Sequence, residues 1–143
     1  MKPNEGRLQT AEHILGKLLE GKLKDMVMGI SKFNEDSGLL EIASPTDPRE
    51  LDIREIEGEV NKVIGKELPV HKPILKREEA EKEVDLRKVP SFVKEVTIID
   101  IEGFDKRPCR DPHVNNTKEI GHFTILSLDR VGNNRYRFTF KVE

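Results

Sequence analysis

Apolar residues at Ala11, Ile14, Leu15, Leu18, Leu19 and Leu23 follow the three-and-four spacing of an amphipathic helix and predict one from Thr10 to about Lys24. Met26, Met28 and Ile30 then alternate with smaller residues, as a strand does. The turn residues Asn34-Glu35-Asp36-Ser37-Gly38 and the run from Leu39 to Ala43 complete a hairpin. A second helix is expected from Thr46 or Asp47, either able to cap it, with Pro48 at the first helical position. Ile53, Ile56, Val60, Val63 and Ile64 are its stripe, and Gly65 ends it. Val70 to Leu75 reads as a short strand broken by Pro73, and Arg77 to Val84 as a small charged helix. The Val- and Ile-rich stretch from Val93 to Ile101 reads as a buried strand.

Gly103 to Gly121 has turn residues and charges without a period, which predicts a long structured loop of the kind that carries function. Two strands are expected to close the chain. Phe123 to Leu128 leads into a turn at Gly132-Asn133-Asn134, after which Tyr136, Phe138, Phe140 and Val142 alternate with Arg135, Arg137, Thr139 and Lys141. No repeat, low-complexity tract or break in composition divides the chain. Residues 1–143 are therefore expected to form a single α+β domain, mainly antiparallel sheet packed with two main helices.

Composition narrows this picture. At 143 residues the chain can close one hydrophobic core, and with 36% charged residues and no Trp that core is aliphatic and thinly covered. No apolar run approaches the roughly 20 residues of a membrane span, and Met1-Lys2-Pro3-Asn4-Glu5 lacks the apolar stretch of a signal peptide. No membrane partner and a cytoplasmic location are the expectation. The net charge of -2 argues against attachment to nucleic acid by gross positive charge. From Gly103 onward, however, eight basic residues face five acidic ones, so this part carries +3 and the remainder -5. A modest basic surface fits that end, although composition alone favours a solvated mixed-charge face.

Cys109 is the single cysteine, which excludes an internal disulfide and leaves its neighbours to explain it. It opens Cys109-Arg110-Asp111-Pro112-His113, a thiol and an imidazole four positions apart, and thiolate and neutral imidazole are ligands that zinc prefers. A structural cysteine beside a surface histidine gives the same pattern, and the metal pair needs a partner from elsewhere. His13 lies one helical turn after Gln9, and positions i and i+4 share a helix face, as paired metal ligands do. The simpler account of those residues is a helix N-terminus in which Gln9 and Thr10 satisfy backbone groups.

Resemblance changes the balance. Leu8-Gln9-Thr10-Ala11-Glu12-His13-Ile14-Leu15 resembles the His-x-x-x-His helix that opens the editing domain of alanyl- and threonyl-tRNA synthetases. Pro108-Cys109-Arg110-Asp111-Pro112-His113-Val114-Asn115-Asn116-Thr117-Lys118-Glu119-Ile120-Gly121 resembles that family's second signature, Cys-x-x-x-His-Val followed by Asn-Thr-x-Glu-Ile-Gly. The two stand in the family's order, and the predicted elements between and after them extend the resemblance over essentially the whole chain.

The resemblance implies a zinc ion held by His13, Cys109 and His113 as the catalytic set, beside a pocket for the aminoacyl end of tRNA. Three protein ligands and a water make a catalytic zinc arrangement. Gln9 stands where the family has its first histidine and either lends its amide oxygen to the metal or holds that water. The zinc either binds the substrate's amino group or activates the attacking water. Asn116, Thr117 and Glu119 match the pocket-side segment, and Arg110, with Arg130, Arg135 and Arg137, is expected to meet tRNA phosphates, the alternative being that Arg135, Arg137 and Lys141 are the wet face of the C-terminal strand. With few aromatics and no Trp, a stacking surface for unpaired bases is not expected.

The short length resembles the free-standing AlaX-type members, deacylases of mischarged tRNA. Cys-Arg-Asp-Pro-His is nearer the threonyl-type Cys-Arg-Gly-Pro-His than the alanyl-type Cys-Gly-Gly-Thr-His, whereas Glu102-Gly103-Phe104-Asp105 looks more like AlaX. Serine on alanine tRNA is therefore the expected substrate and serine on threonine tRNA the alternative. From a different class, a degenerate domain that only docks tRNA or a synthetase also fits.

Overall fold

The structure, a computed structural model, describes residues 4–143; Met1–Pro3, part of the segment read above for a leader, lie outside the described residues. Helix α1 spans Glu5–Lys22 and so starts before its apolar stripe does. The polar first turn is held by tertiary contacts, since the Arg7 guanidinium donates twice to the Ile120 carbonyl, at 2.8 and 3.1 Å. Gln9 and Thr10 are consequently second-turn residues, buried within the helix, and not its caps.

Strands β1 (Val27–Phe33) and β2 (Ser37–Ala43) form the expected antiparallel hairpin. The second helix departs from expectation at its start. Asp47 caps only a short 3-10 turn, Pro48–Glu50, while α2 runs Ile53–Gly65 from Asp52, whose carboxylate accepts from the Arg54 and Glu55 amides. Two capping residues compete here, and the apolar stripe beginning at Ile53 sides with the nearer one. Pro73 separates β3 (Val70–His71) from β4 (Ile74–Lys76), and α3 is a single turn, Arg77–Ala80. Strand β5 covers Glu95–Ile101.

The segment expected to be one long loop holds a strand. At Gly103, whose φ of 72° suits glycine, the chain reverses, and β6 (Asp105–Pro108) pairs antiparallel with Ile98–Ile101 of β5. Strands β7 (Phe123–Gly132) and β8 (Arg135–Val142) close the chain as a second hairpin.

All pairings are antiparallel. One sheet has the order β1-β2-β8-β7, and β5 centres the other, pairing with β3, β4 and β6. The main core joins α1 and α2 to the inner face of the first sheet, around Leu8, Ile14, Leu15, Val60, Phe138 and a stacked Phe123–Phe140 pair with ring centroids 5.4 Å apart. Period-2 alternation gives β5 two buried faces: Ile99 and Ile101 belong to this core, Val96 and Ile98 to a smaller cluster with Ala80 and Leu86. Among the described residues no helix is long and apolar enough to cross a membrane.

Candidate functional site

The chain leaving β6 returns across the N-terminal half of α1. The Thr10 hydroxyl donates to the Gly6 carbonyl at 2.8 Å and accepts the Val114 amide at 3.1 Å, so one fully buried side chain ties helix to loop. Lys72 holds the outer side, donating to the His113 carbonyl at 2.7 Å and to Asn115 Oδ1 at 2.9 Å. A Cβ on Gly6 would sit 3.4 Å from the His113 carbonyl carbon, which measures how closely the two segments pack. His13 and His113, a hundred positions apart, thereby meet edge to face with ring centroids 6.2 Å apart.

The hydrogen bonds fix which nitrogen of each ring carries its proton. His13 Nε2 lies 2.9 Å from Asp105 Oδ2. Burial opposes ionisation of the Asp105 carboxyl, but the His13 bond and the Arg107 guanidinium outweigh it and hold the group well below the usual carboxylate range. The oxygen is thus a carboxylate acceptor and Nε2 must donate. Burial pushes the His13 pKa down to about 4, so the ring is neutral near pH 7 and its Nδ1 bears a lone pair. That Nδ1 is buried and is, among the described residues, the one buried side-chain N or O atom without a hydrogen-bond partner. In His113 the roles are exchanged: Nδ1 donates to the Asp111 carbonyl at 2.8 Å, burial also lowers the ring's pKa, and Nε2 keeps the lone pair.

Sequence reasoning missed three charged residues of this site. Asp105 receives His13 Nε2, Arg107 Nη2 at 3.0 Å, Arg107 Nε at 3.2 Å and Lys17 Nζ at 3.4 Å. Alternation along β6 puts Asp105 and Arg107 on the face toward α1, while Lys106 between them pairs outward with Glu83 at 3.1 Å. Glu12 lies beside Arg107, Asp111 and Ser31, and burial raises its carboxyl to about 7. One signal was available in the sequence: Gln9, Glu12, His13 and Gly16 share the three-and-four spacing of one α1 face.

Cys109 packs against the main core, and its thiol donates to Asp111 Oδ2 at 3.6 Å. Burial raises the thiol to about 11, so without a cation beside it Cys109 is a thiol at neutral pH. Gln9 is 7% exposed on the same helix face as His13. Thr117 is fully buried: its hydroxyl accepts the Leu68 amide at 2.9 Å and donates to the Ile64 carbonyl at 3.1 Å, which places it in the scaffold under the loop. Asn116 caps the 3-10 turn Thr117–Ile120 in a reciprocal box with Glu119, whose carboxylate accepts the Asn115 and Asn116 amides. Arg110 is exposed at the rim, and Arg137 pairs with Glu41 at 2.9 Å.

Whether this donor set suits a zinc ion has a divided answer. Among the described residues no three His, Cys, Asp or Glu side chains are gathered closely enough to hold a metal ion. The chemistry of the donors nevertheless fits: two neutral imidazoles and a thiol, each ring donating its other N–H to an oxygen, the pattern that orients metal-bound histidines. The orphaned His13 Nδ1 is the sharpest sign, because a buried nitrogen lone pair without a partner is otherwise an unrecovered desolvation cost.

Residues 96–139 match the model of the threonyl and alanyl tRNA synthetase second additional domain. An alanine–tRNA ligase of Methanopyrus kandleri is 30% identical over 139 residues, covering 92% of this chain and 15% of the ligase. The ligase of Aster yellows witches'-broom phytoplasma is 29% identical over 138 residues, covering 90% of the chain and 15% of the ligase. The alanyl-tRNA editing protein AlaX-M of Methanosarcina barkeri is 27% identical over 139 residues, covering 94% of the chain and 56% of that protein. The chain thus spans about 15% of the length of these ligases and about half of the editing protein.

Proposed function

Because this chain is related to the alanine–tRNA ligases and to an alanyl-tRNA editing protein, and carries part of the second additional domain of threonyl and alanyl tRNA synthetases, we propose that it edits mischarged tRNA. The reaction is hydrolysis of an aminoacyl ester at the tRNA terminal ribose: water adds to the carbonyl carbon, the ester C–O bond breaks, and free amino acid and a ribose hydroxyl leave. Alanine tRNA is the carrier that the relatives' names support, and serine on it is the substrate of this proposal.

The observation that carries this reading is the meeting of His13 and His113, with a buried His13 Nδ1 lacking any partner, where the two signature segments converge. His13, Cys109 and His113 would hold zinc, with the Gln9 amide oxygen at hand. When bound, zinc supplies a Lewis acid and an acidified water. The chain's own residues set the stage for that chemistry. Asp105 takes the His13 Nε2 proton and the Asp111 carbonyl takes the His113 Nδ1 proton, so both rings offer lone pairs. Glu12, with a carboxyl near 7, can hold or release a proton beside Cys109 under the same conditions. Thr10, Thr117 and Lys72 fix the loop backbone against α1 and α2.

Release of serine from alanine or threonine tRNA charged with it, measured with and without added zinc, tests this function. Zinc-dependent release is expected, faster from alanine tRNA. No release from either under zinc-replete conditions refutes the enzyme. Gln9, in place of the family's first histidine, favours a second reading, a domain that docks tRNA without cleaving it; retained tRNA binding without release would establish that one.

A further inference from the structure

Every nitrogen of the Arg107 guanidinium is engaged. Nε and Nη2 donate to Asp105 Oδ2 at 3.2 and 3.0 Å, and Nη1 donates to Met28 Sδ at 3.2 Å. Nη2 also lies 3.7 Å from Glu20 Oε1, so the group touches β1, α1 and its own strand. The Arg107 side chain is 23% exposed and is fixed among these partners.

A thioether is a weak acceptor, and a guanidinium N–H has better partners in water, so the contact with Met28 calls for a reason. Gly16 supplies it. A Cβ there would stand 2.6 Å from Met28 Sδ and 2.7 Å from Met28 Cε, with Arg107 Nη1 3.6 Å away. Glycine inside a helix is unfavourable relative to alanine, yet α1 has one here, one turn after Glu12 and one turn before Glu20. The missing side chain leaves a notch in the helix face that Arg107 meets. Met28, unbranched and adaptable, fills the notch and closes over the guanidinium.

The consequence falls on Asp105. Its Oδ2 takes His13 Nε2 at 2.9 Å together with both Arg107 donors, while Oδ1 faces Lys17 Nζ at 3.4 Å. A carboxylate turns readily about its last torsion, and a lysine that is 42% exposed does not decide which oxygen faces His13. The guanidinium does, because two of its N–H groups converge on Oδ2 while Met28 and Glu20 hold its far side. We propose that Arg107 is the positioning residue of the donor set: pinned by Met28 in the notch at Gly16, it keeps Asp105 Oδ2 on His13 Nε2 and thereby the His13 lone pair on Nδ1. The geometry stands by itself, and the consequence for zinc rests on the function proposed above.

As a bare charge Arg107 would act in the opposite sense. A cation near a bound dication repels it, so removing that cation should tighten zinc binding. Removing a residue that orients a ligand should weaken it.

Zinc affinity of the full chain, read by competition with a chromophoric chelator, and NMR of the His13 ring nitrogens in the metal-free protein together test the proposal. Arg107→Met should bind zinc about tenfold more weakly or worse, and its His13 should pass from one tautomer, protonated at Nε2, to an exchanging mixture. Arg107→Lys keeps the charge and loses the fork, and should also bind zinc more weakly than the parent. Gly16→Ala changes no charge, puts a better helix former into α1 and displaces Met28, so a smaller loss of affinity and a shift of the His13 tautomer in the same direction are expected without a loosened helix. Zinc affinity in Arg107→Met equal to or above the parent's, or an unaltered His13 tautomer, overturns the proposal. Should that variant fail to fold, Gly16→Ala decides by the same two readouts. A parent chain that binds no zinc would sink the zinc reading, and the tautomer measurement would still decide the role of Arg107.

Discussion

Replacing Glu12 by Gln isolates a buried carboxyl whose ionisation opposes folding. Burial raises Glu12 from 4.5 to about 7, so the folded state keeps its proton in a range where the unfolded chain has released it. A group of this kind contributes stability that is fully present below about 4.5 and is lost as pH rises through about 7. At about 1.4 kcal/mol per decade, the loss is about 3 kcal/mol. His13 runs the other way: its folded pKa of about 4 lies below the ordinary 6.5, so stability is present above 6.5 and is lost as pH falls toward 4, by a similar amount. The two slopes oppose each other between about 4.5 and 6.5 and leave the parent chain's stability nearly flat there.

Glu12→Gln keeps the shape of the neutral acid and removes only the ionisation. In chelator-treated protein, its stability should match the parent at pH 4.5 and exceed it by about 3 kcal/mol at pH 8, a gain in Tm on the order of 10 °C for a domain of this size. Because the reading is a difference between two chains at each pH, all other titrating groups cancel. Thermal denaturation followed by circular dichroism at pH 4.5, 6 and 8 measures it. A variant whose Tm differs from the parent by the same amount at all three values would refute the account of Glu12 as a carboxyl that burial holds protonated.

Other perturbations address the scaffold and the donor set. Thr117→Val leaves the Leu68 amide without its acceptor in a fully buried site and should cost about 1–3 kcal/mol, read as a lowered urea midpoint with unchanged slope. At Gly121, φ is 82° and a Cβ would collide with the Glu143 carbonyl oxygen, so Gly121→Ala should cost about 2 kcal/mol or more; a Tm within a degree of the parent would contradict the geometry. Asp105→Ala removes the acceptor that orients His13 and should weaken zinc binding on the order of 10–100-fold by competition with a chromophoric chelator, whereas equal affinity would separate Asp105 from the donor set.

The parts of the fold that sequence could read were those with a strong period. The α2 stripe, the β1–β2 turn and the alternation in β8 each carry enough repeats to locate an element, and Pro73 could only break a strand. The parts that failed were set by partners distant in sequence. The first turn of α1 has one large apolar residue, Leu8, too little to register as a stripe, and is held by Arg7 on Ile120, 113 positions away. Asp47 and Asp52 have equal capping chemistry, and only packing of Ile56 and Val60 decides between them. Strand β6 is four residues, three charged and one a proline, too short for alternation to register, and it exists because β5 offers it an edge.

The candidate site was legible as residue types and not as an electrostatic unit, and β6 is the reason. Read as loop, Asp105-Lys106-Arg107 is a charge run with no direction. Read as strand, it sends Asp105 and Arg107 toward α1 and Lys106 to Glu83, so the acceptor for His13 follows from the pairing. The same pairing sets Pro108 opposite Ile98, at the middle of β5, and from there Cys109 and His113 have only the short path across Gly6 and Thr10 to reach His13. A donor set divided between two signatures far apart in the chain therefore depends on a four-residue strand of which the second signature contains only the last residue, Pro108. Loss of its register would part Asp105 from His13 and remove the acceptor that keeps the proton on Nε2 and the lone pair on Nδ1.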